Sequence, residues 1–347
     1  MMDLLKRLSL EFGPSGLEFK VRELIEKELS PYASGFEAYT DRLGSYIIHI
    51  PKENAPRLLI CAHMDEVGFM VTEICDNGRL RYGTVGGIDP LVCASKRVVS
   101  ENGAMGAIIS KPIHLQSSEE RGKVTGHDSM YIDIGCDTKE EAESLVQLGD
   151  LFTFVSDFCE FGNGFIKGKA LDDRLGCAIM CKAIENIITN GLALEYDTYF
   201  AFSTREEVGL SGAYAVAERI KPDYAFIIES TAVGDIFGAP DEKLVAKLGK
   251  GGALSFADLA TIYDKELINH IIGLCRERGI DYQIKQYVSG GNDAGNIQRS
   301  AYGTRVAVMS APSRYIHSAS NVIHKNDLES IYNTLMALIS SKQTANG

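Results

Sequence analysis

Three features of the 347-residue chain predict an α/β protein: a mixed, mostly parallel sheet sandwiched by helices, carrying an inserted β-rich, barrel-like domain. First, four short apolar runs alternate with helical stretches: Leu58–Ala62, Tyr199–Thr204, Ala225–Ile228 and Val306–Met309. Such runs read as strands buried on both faces. Second, between Thr72 and Gly164 the texture changes to glycine and β-branched residues in short segments. Third, 45% hydrophobic content over this length supplies one large core or two moderate ones. The expected division is a discontinuous main domain, 1–70 plus 165–347, with residues 71–164 as the insertion.

The elements follow in order. Leu4, Leu5, Leu8 and Phe12 lie at helical spacing among Asp3, Lys6, Arg7 and Glu11, an amphipathic helix without a signal-peptide core. Ser15-Gly16-Leu17-Glu18 reads as a capping box opening a helix with Leu17, Val21, Leu24, Ile25 and Leu29 on one face, stopped near Pro31. Strands are expected at Tyr46–Ile50 and Arg57–Ala62. Within the insertion only Thr138–Leu148 reads as a helix. Asp172–Asn190 is helical, with Leu175, Ile179, Ala183 and Ile187 on one side and Gly191 as its stop. Strand Tyr196–Thr204, helix Gly212–Arg219, strand Ala225–Glu229, helix Lys265–Arg278, strand Arg305–Met309 and helix Lys325–Ser341 complete the chain.

Composition excludes some function classes. A net charge of −12 argues against a nucleic-acid partner, since phosphate binding needs a basic surface. No apolar run approaches the roughly 18 residues of a membrane span. The eight cysteines form no CxxC pair and mostly sit in apolar runs, so buried free thiols are expected rather than disulfides or a thiolate zinc site. That usage predicts a cytoplasmic protein.

Each apolar run leads to a residue that can bind a divalent metal: His63, Glu206-Glu207, Glu229 and His317. In open α/β sheets ligands sit beyond the carboxyl ends of the strands, so these groups converge on one sheet edge. His63-Met64-Asp65 places His63 and Asp65 on one side of an extended segment, which equally fits a capped strand end. Asp172 and Asp173 precede a helix, where either also serves as an N-cap. Glu206 and Glu207 lie between a buried strand and Gly209. As a strand continuation they point in opposite directions, one to metal and one to water; a solvated loop is the alternative. Glu229 ends an apolar strand, where a charge is costly unless bound to metal or paired, with Arg205 for example. His49, His114, His127, His270 and His324 have no ligand-like context.

Together these segments resemble a known family. AHMDEVGF at 62–69, GKALDDRLGCA at 168–178, STREEVGLSGA at 203–213, IIES at 227–230, GGNDAG at 290–295 and SRYIHS at 313–318 occur in the order found in the M42 metallo-aminopeptidases. These are dinuclear enzymes of the clan that also holds the M20 and M28 families, and some relatives carry the label endoglucanase. The resemblance runs nearly end to end, including the EFGPSGLE opening at 11–18. It implies a zinc-peptidase type sheet with His63 and Glu229 on one metal, Glu207 and His317 on the other, and Asp172 bridging. It also implies Glu206 as general base, Asp65 as the group orienting His63, and a cis Asp172–Asp173 bond. Relatives often place Asp at the Glu229 position; Glu lengthens that arm by one carbon.

Nitrogen and oxygen ligands without thiolate suit Zn²⁺ or Co²⁺, with Mn²⁺ also compatible. Two such ions about 3.5–4 Å apart lower the pKa of a shared water. The expected activity is removal of N-terminal residues from short peptides. An M20-like amidohydrolase or carboxypeptidase is the same-fold alternative, but M20 relatives place their extra domain later in the chain. A glycosidase needs carboxylates facing across a sugar, and a non-catalytic metal-binding scaffold needs no Glu206. The resemblance further implies a homo-oligomer, from a dimer to a tetrahedral dodecamer, joined through the insertion. The Leu248–Gly252 loop is expected near the substrate side chain, where Lys250 either favours an acidic one or faces solvent.

Overall fold

The structure, a computed structural model, describes residues 1–240, 244–286 and 288–341. Helix α1 (Met2–Leu10) buries Leu4, Leu5 and Leu8, and Phe12 is buried just beyond its end. Helix α2 (Phe19–Leu29) buries Val21, Ile25 and Leu29. The capping box expected before it does not form. Glu18 occupies the N-cap without a side-chain cap bond, and the Ser15 hydroxyl donates to Asp65 Oδ2 at 2.6 Å instead. A buried carboxylate is a stronger acceptor target for that hydroxyl than a helix N–H is a donor to it.

Strands β1 (Glu37–Thr40), β2 (Tyr46–Ile50) and β3 (Arg57–His63) lead into the insertion. There β4 (Gly68–Ile74), β5 (Leu80–Val85), β6 (Arg97–Ser100), β7 (Met105–Ile109), β8 (Tyr131–Asp133) and β9 (Leu151–Phe154) close into an antiparallel barrel. Its helix α3 covers only Lys139–Glu143, capped by the Thr138 hydroxyl, and is shorter than its sequence pattern suggests. Leu145 and Leu148 are exposed, so no packing rewards its continuation. The barrel has its own core, with Phe69 edge-on to both Tyr82 and Phe154 at 5.1 Å.

The chain then forms β10 (Cys159–Phe161), β11 (Phe165–Gly168), α4 (Leu171–Asn190), β12 (Asp197–Ser203), α5 (Ser211–Ile220), β13 (Tyr224–Ala232), β14 (Gly252–Leu254), α6 (Lys265–Arg278), β15 (Tyr282–Ile284), α7 (Ala294–Arg299), β16 (Arg305–Ser313), β17 (Asn321–His324) and α8 (Lys325–Ile339). Among the described residues the main sheet has eight strands in the order β1-β2-β12-β3-β13-β16-β14-β15. Its centre, β12, β3, β13 and β16, is parallel and consists of the four apolar runs. β2 and β14 flank it antiparallel. Helix α4 packs on β3 and β13, while α5 and α7 pack together, α5 against β12 and α7 against β13 and β16. Each Leu, Ile or Phe buried in these layers contributes about 1.5–3 kcal/mol.

Two strands run further than their apolar patterns indicate. β13 continues past Glu229 through Ser230, Thr231 and Ala232, and β16 past Met309 to Ser313, because the two pair in register to Ala232–Ser313. Glu229 is therefore inside a strand rather than at its end. Hairpin β10–β11 pairs with β17 of the main body. All eight cysteines are unpaired, and among the described residues no helix is long and apolar enough to cross a membrane.

Candidate active site

The parallel centre of the sheet assembles the site. His63 is the last residue of β3, between β12 and β13. Glu206 and Glu207 follow β12, Glu229 lies in β13, His317 follows β16, and Asp172 opens α4. His63 Nε2 lies 3.4 Å from Asp172 Oδ1 and 3.6 Å from Glu229 Oε1. His317 Nε2 lies 3.2 Å from both Asp172 Oδ2 and Glu207 Oε1. The carboxylate of Asp172 thus turns one oxygen to each histidine. Two triads result, His63–Asp172–Glu229 and Asp172–Glu207–His317, each with donor atoms within 4.8 Å of one another. A third, His63–Glu206–Glu207, brings in Glu206. The Asp172–Asp173 peptide is cis.

The two glutamates do not continue the strand. β12 stops at Ser203, Arg205 takes φ 58°, and Glu206 to Gly209 form a turn closed by the Gly209 N–H on the Glu206 carbonyl at 3.2 Å. Both carboxylates consequently face one cavity, rather than opposite sides as an extended segment would direct them. Asp65 holds this turn. It is fully buried, and its oxygens accept from the backbone N–H groups of Glu206 at 3.0 Å and Glu207 at 3.1 Å, besides Ser15. Its Oδ1 is also 3.4 Å from His63 Nδ1.

Several further groups hold these residues in place. Glu18 accepts from the Arg205 N–H at 3.1 Å, fixing the residue at which the chain turns. His317 Nδ1 bonds the Gly87 carbonyl of the barrel segment at 2.6 Å, which directs Nε2 into the site. Asp173 accepts from the His63 N–H at 3.3 Å and the Gly176 N–H at 3.2 Å. Gly176 is required there, because a Cβ would stand 2.6 Å from Asp173 Oδ2. Asp293 of the GGNDAG segment accepts from the Ser203 hydroxyl at 2.7 Å, and its Oδ1 is buried without a partner. Ser15 and Glu18 belong to the EFGPSGLE segment; the Gly87 carbonyl has no side-chain signature at all.

The electrostatics are those of a cluster with too many anions. Burial alone would lower His63, but the charge of Glu229 and hydrogen bonds to Asp172, Asp65 and Glu229 hold it well above the usual imidazole range. His317 likewise resists burial through Asp172 and Glu207 and sits at about 11. Burial, reinforced by the charge of Asp172, raises Glu229 to about 8. Burial also raises Glu206 well above the carboxylate range, with Glu229, Asp293 and Glu207 adding to it. Asp172 itself goes well below that range despite its burial, because His317 bonds its Oδ2 and the raised His63 imidazole stands 3.4 Å from its Oδ1.

Asp172, Glu206, Glu207, Glu229 and His317 line a cavity of about 470 Å³. Its other walls include Thr231, Ser255, Lys285, Ser289 and Ser310. Lys250 is exposed and neither it nor the rest of the 248–252 loop is among the lining residues, so the solvent-facing alternative holds; Gly251 and Gly249 on either side donate their N–H groups to Asp327, which sets the loop's course.

The family described as M42 glutamyl aminopeptidase matches residues 44–333. The chain belongs to the M42 peptidase family. Its fold superposes on the TET aminopeptidase of a marine-sediment archaeon of the Thaumarchaeota with TM-score 0.95, at 34% identity over 99% of this chain and 96% of that one. The TET1 peptidase of Pyrococcus horikoshii, which can assemble into a tetrahedron or a large octahedral shell, matches with TM-score 0.86 at 34% identity over 98% and 99% of the two chains. The lysyl aminopeptidase of Pyrococcus furiosus is 28% identical over 97% of this chain and 96% of its own length. This M42 chain is a peptide hydrolase of an aminopeptidase family, and its barrel insertion and mixed sheet are the fold of these neighbours.

Proposed function

We propose that this protein is a metal-dependent aminopeptidase that removes N-terminal residues from short peptides, using two divalent cations, Zn²⁺ or Co²⁺ with Mn²⁺ also suited. The observation that carries the reading is the pair of donor triads sharing Asp172. Asp172 Oδ1 is buried without a hydrogen-bond partner, a costly state that a cation would relieve. Two imidazoles and three carboxylates without thiolate fit these ions.

His63 and Glu229 would hold one cation, Glu207 and His317 the other, with Asp172 between them. When bound, the cations polarise the scissile carbonyl and lower the pKa of a water between them. Glu206, which lines the same cavity, would take a proton from the attacking water and return it to the leaving amine. Its raised proton affinity, caused first by burial, suits it to carry a proton in both directions. Asp65 orients His63 and fixes the backbone of Glu206 and Glu207. One cation would polarise the carbonyl and the other would offer a position for the peptide's free α-amine, which would make the enzyme an exopeptidase at the amino end.

By likeness to the Pyrococcus horikoshii TET1 peptidase, which can assemble into a tetrahedron or a large octahedral shell, the chain assembles as a homo-oligomer, from a dimer to a tetrahedral dodecamer, with the 71–164 insertion as the dimerisation domain. Eight unpaired cysteines fit a reducing compartment, and we place the protein in the cytoplasm.

The test is removal and return of metal. Chelation should abolish hydrolysis of peptides with a free N-terminus, and Zn²⁺ or Co²⁺ should restore it, while N-acetylated peptides stay intact. Full activity in verified metal-free protein would overturn the metal reading. Cleavage of the acetylated peptide would overturn the exopeptidase reading.

A further inference from the structure

We propose that Lys169 and Arg174 are positioning residues for Asp172: by gripping the backbone where α1 ends, they preset the carboxylate that stands between the two histidines. The inference rests on the two-cation reading above and names what prepares the chain to receive the cations.

Asp172 stands on an irregular stretch of chain. Ala170 adopts φ 48°, a left-handed conformation that a residue with a Cβ keeps only where its surroundings enforce it. Asp172 and Asp173 depart from helical angles although α4 has begun. Local propensity does not hold this stretch, so the hold comes from its two ends. Lys169 before it and Arg174 after it are both buried, Arg174 completely. Both reach to the same place. Arg174 donates from Nη1 to the Leu8 carbonyl at 2.7 Å and from Nη2 to the Gly13 carbonyl at 3.0 Å. Lys169 donates from Nζ to the Glu11 carbonyl at 2.9 Å, and its own carbonyl accepts from the Ser9 hydroxyl at 2.6 Å. Carbonyls at a helix C-terminus carry partial negative charge and favour basic side chains.

Glu66 ties this grip to the rest of the site. Its Oε1 lies 2.5 Å from Lys169 Nζ and 3.6 Å from Arg174 Nη2, and accepts from the Gly13 N–H at 3.3 Å. Glu66 directly follows Asp65, so the two basic side chains, the end of α1 and the segment after β3 meet on one carboxylate. The approach is close: a Cβ on Gly13 would stand 2.9 Å from Arg174 Nη2. Lys169 and Glu66 also wall, with Asp172, Glu207 and His317, a void of about 10 Å³. That volume holds at most one water. Solvent therefore cannot stand in for the ammonium, and without it Glu66 would be buried and unpaired. The acceptors on the α1 side are backbone carbonyls, so the grip fixes where the 169–174 segment lies. Ligands ordered before the cation arrives bind it more tightly, because less freedom is lost on binding.

The experiment uses the full-length protein with Zn²⁺ and Co²⁺. Lys169→Met keeps an unbranched side chain and removes the ammonium. It should weaken Zn²⁺ binding, measured by competition with a chromogenic chelator, by about 10–100-fold, the usual cost of losing an outer partner of a metal site. The visible absorption band of the Co²⁺-loaded variant should also differ from that of wild type, since the band reports ligand geometry. Ser9→Ala, which alters no proposed ligand, should weaken Zn²⁺ binding by about 2–10-fold, the value of one neutral hydrogen bond. A purely structural role would lower the melting temperature and leave the metal readouts alone. Unchanged Zn²⁺ affinity, or an unchanged Co²⁺ band, in folded Lys169→Met would therefore overturn the proposal, whatever its melting temperature. If Lys169→Met does not fold, Ser9→Ala decides: weaker Zn²⁺ binding upholds the proposal and unchanged binding overturns it. Wild type that binds neither ion would overturn the two-cation reading and this proposal with it. Wild type that binds two ions, beside a variant that binds them equally well, would overturn the proposal alone.

Discussion

Replacing Glu206 with glutamine keeps the length of the side chain and removes its capacity to take a proton. Glu206 belongs to neither of the two triads that share Asp172, so Glu206→Gln should retain both metals by elemental analysis while kcat falls by about 10²–10⁴-fold. An unchanged kcat would remove Glu206 from the chemistry. The rest of the cluster makes a prediction about protons and metal. Asp293, raised by burial to about 6, Glu229 at about 8 and His317 at about 11 all lie above their unfolded values. The folded metal-free protein therefore binds more protons than the unfolded chain, and its stability falls as pH rises through those values. Asp65 and Asp172, held low, act only in acid. Chelated protein should lose melting temperature steadily between about pH 5 and pH 9, and metal-loaded protein should not, because cations then do the work of the protons. Parallel melting curves for the two forms across that range would show that the cluster does not exchange protons for metal.

The elements show which parts of the site a sequence can and cannot display. Of the five proposed ligands, His63, Glu207, Glu229 and His317 could be proposed from the sequence because each follows or ends an apolar run, and runs of that kind become the parallel centre of a sheet; Asp172 opens a helix instead. The direction of Glu206 and Glu207 was not legible there, since it depends on Arg205 turning at positive φ under the hold of Glu18, a contact between residues 187 positions apart in sequence. Ser15 shows the same limit. Its spacing to Glu18 reads as a local capping box, yet its hydroxyl goes to Asp65, a long-range partner that no local pattern records. The lengths of β13 and β16 depended on pairing beyond their apolar residues. These contacts make the N-terminal loop a clamp on the 204–207 turn. Ser15→Ala removes one donor from a buried carboxylate and should cost about 1.5–3 kcal/mol in denaturant unfolding, with a smaller loss of kcat than Glu206→Gln because the two backbone donors remain. An unfolding midpoint equal to wild type would show that the clamp does not depend on this hydroxyl.

At the scale of the whole molecule the barrel and the main body have separate cores but one site. The Gly87 carbonyl, in the segment after β5, fixes the tautomer of His317, so cutting out the insertion would disturb the site as well as any interface. The assembly is better tested by surface substitutions. The exposed apolar side chains include Leu91, Met105, Ile113 and Leu115 on the insertion, and Phe237, Leu259 and Ile262 on the main body. A closed tetrahedral shell built from dimers needs two different contacts, one within the dimer and one between dimers, and these residues offer one test of each. With one subunit of 37.9 kDa, light scattering should give a mass that is a multiple of this value. Leu259→Glu with Ile262→Glu should reduce a larger particle to dimers, and Ile113→Glu with Leu115→Glu should break the dimer itself. Both variants leave Gly87 and the ligand residues in place, so each should still bind metal. Wild type running as a monodisperse monomer would contradict the assembly. A dimer that survives charges at Ile113 and Leu115 would move the first interface off that part of the insertion.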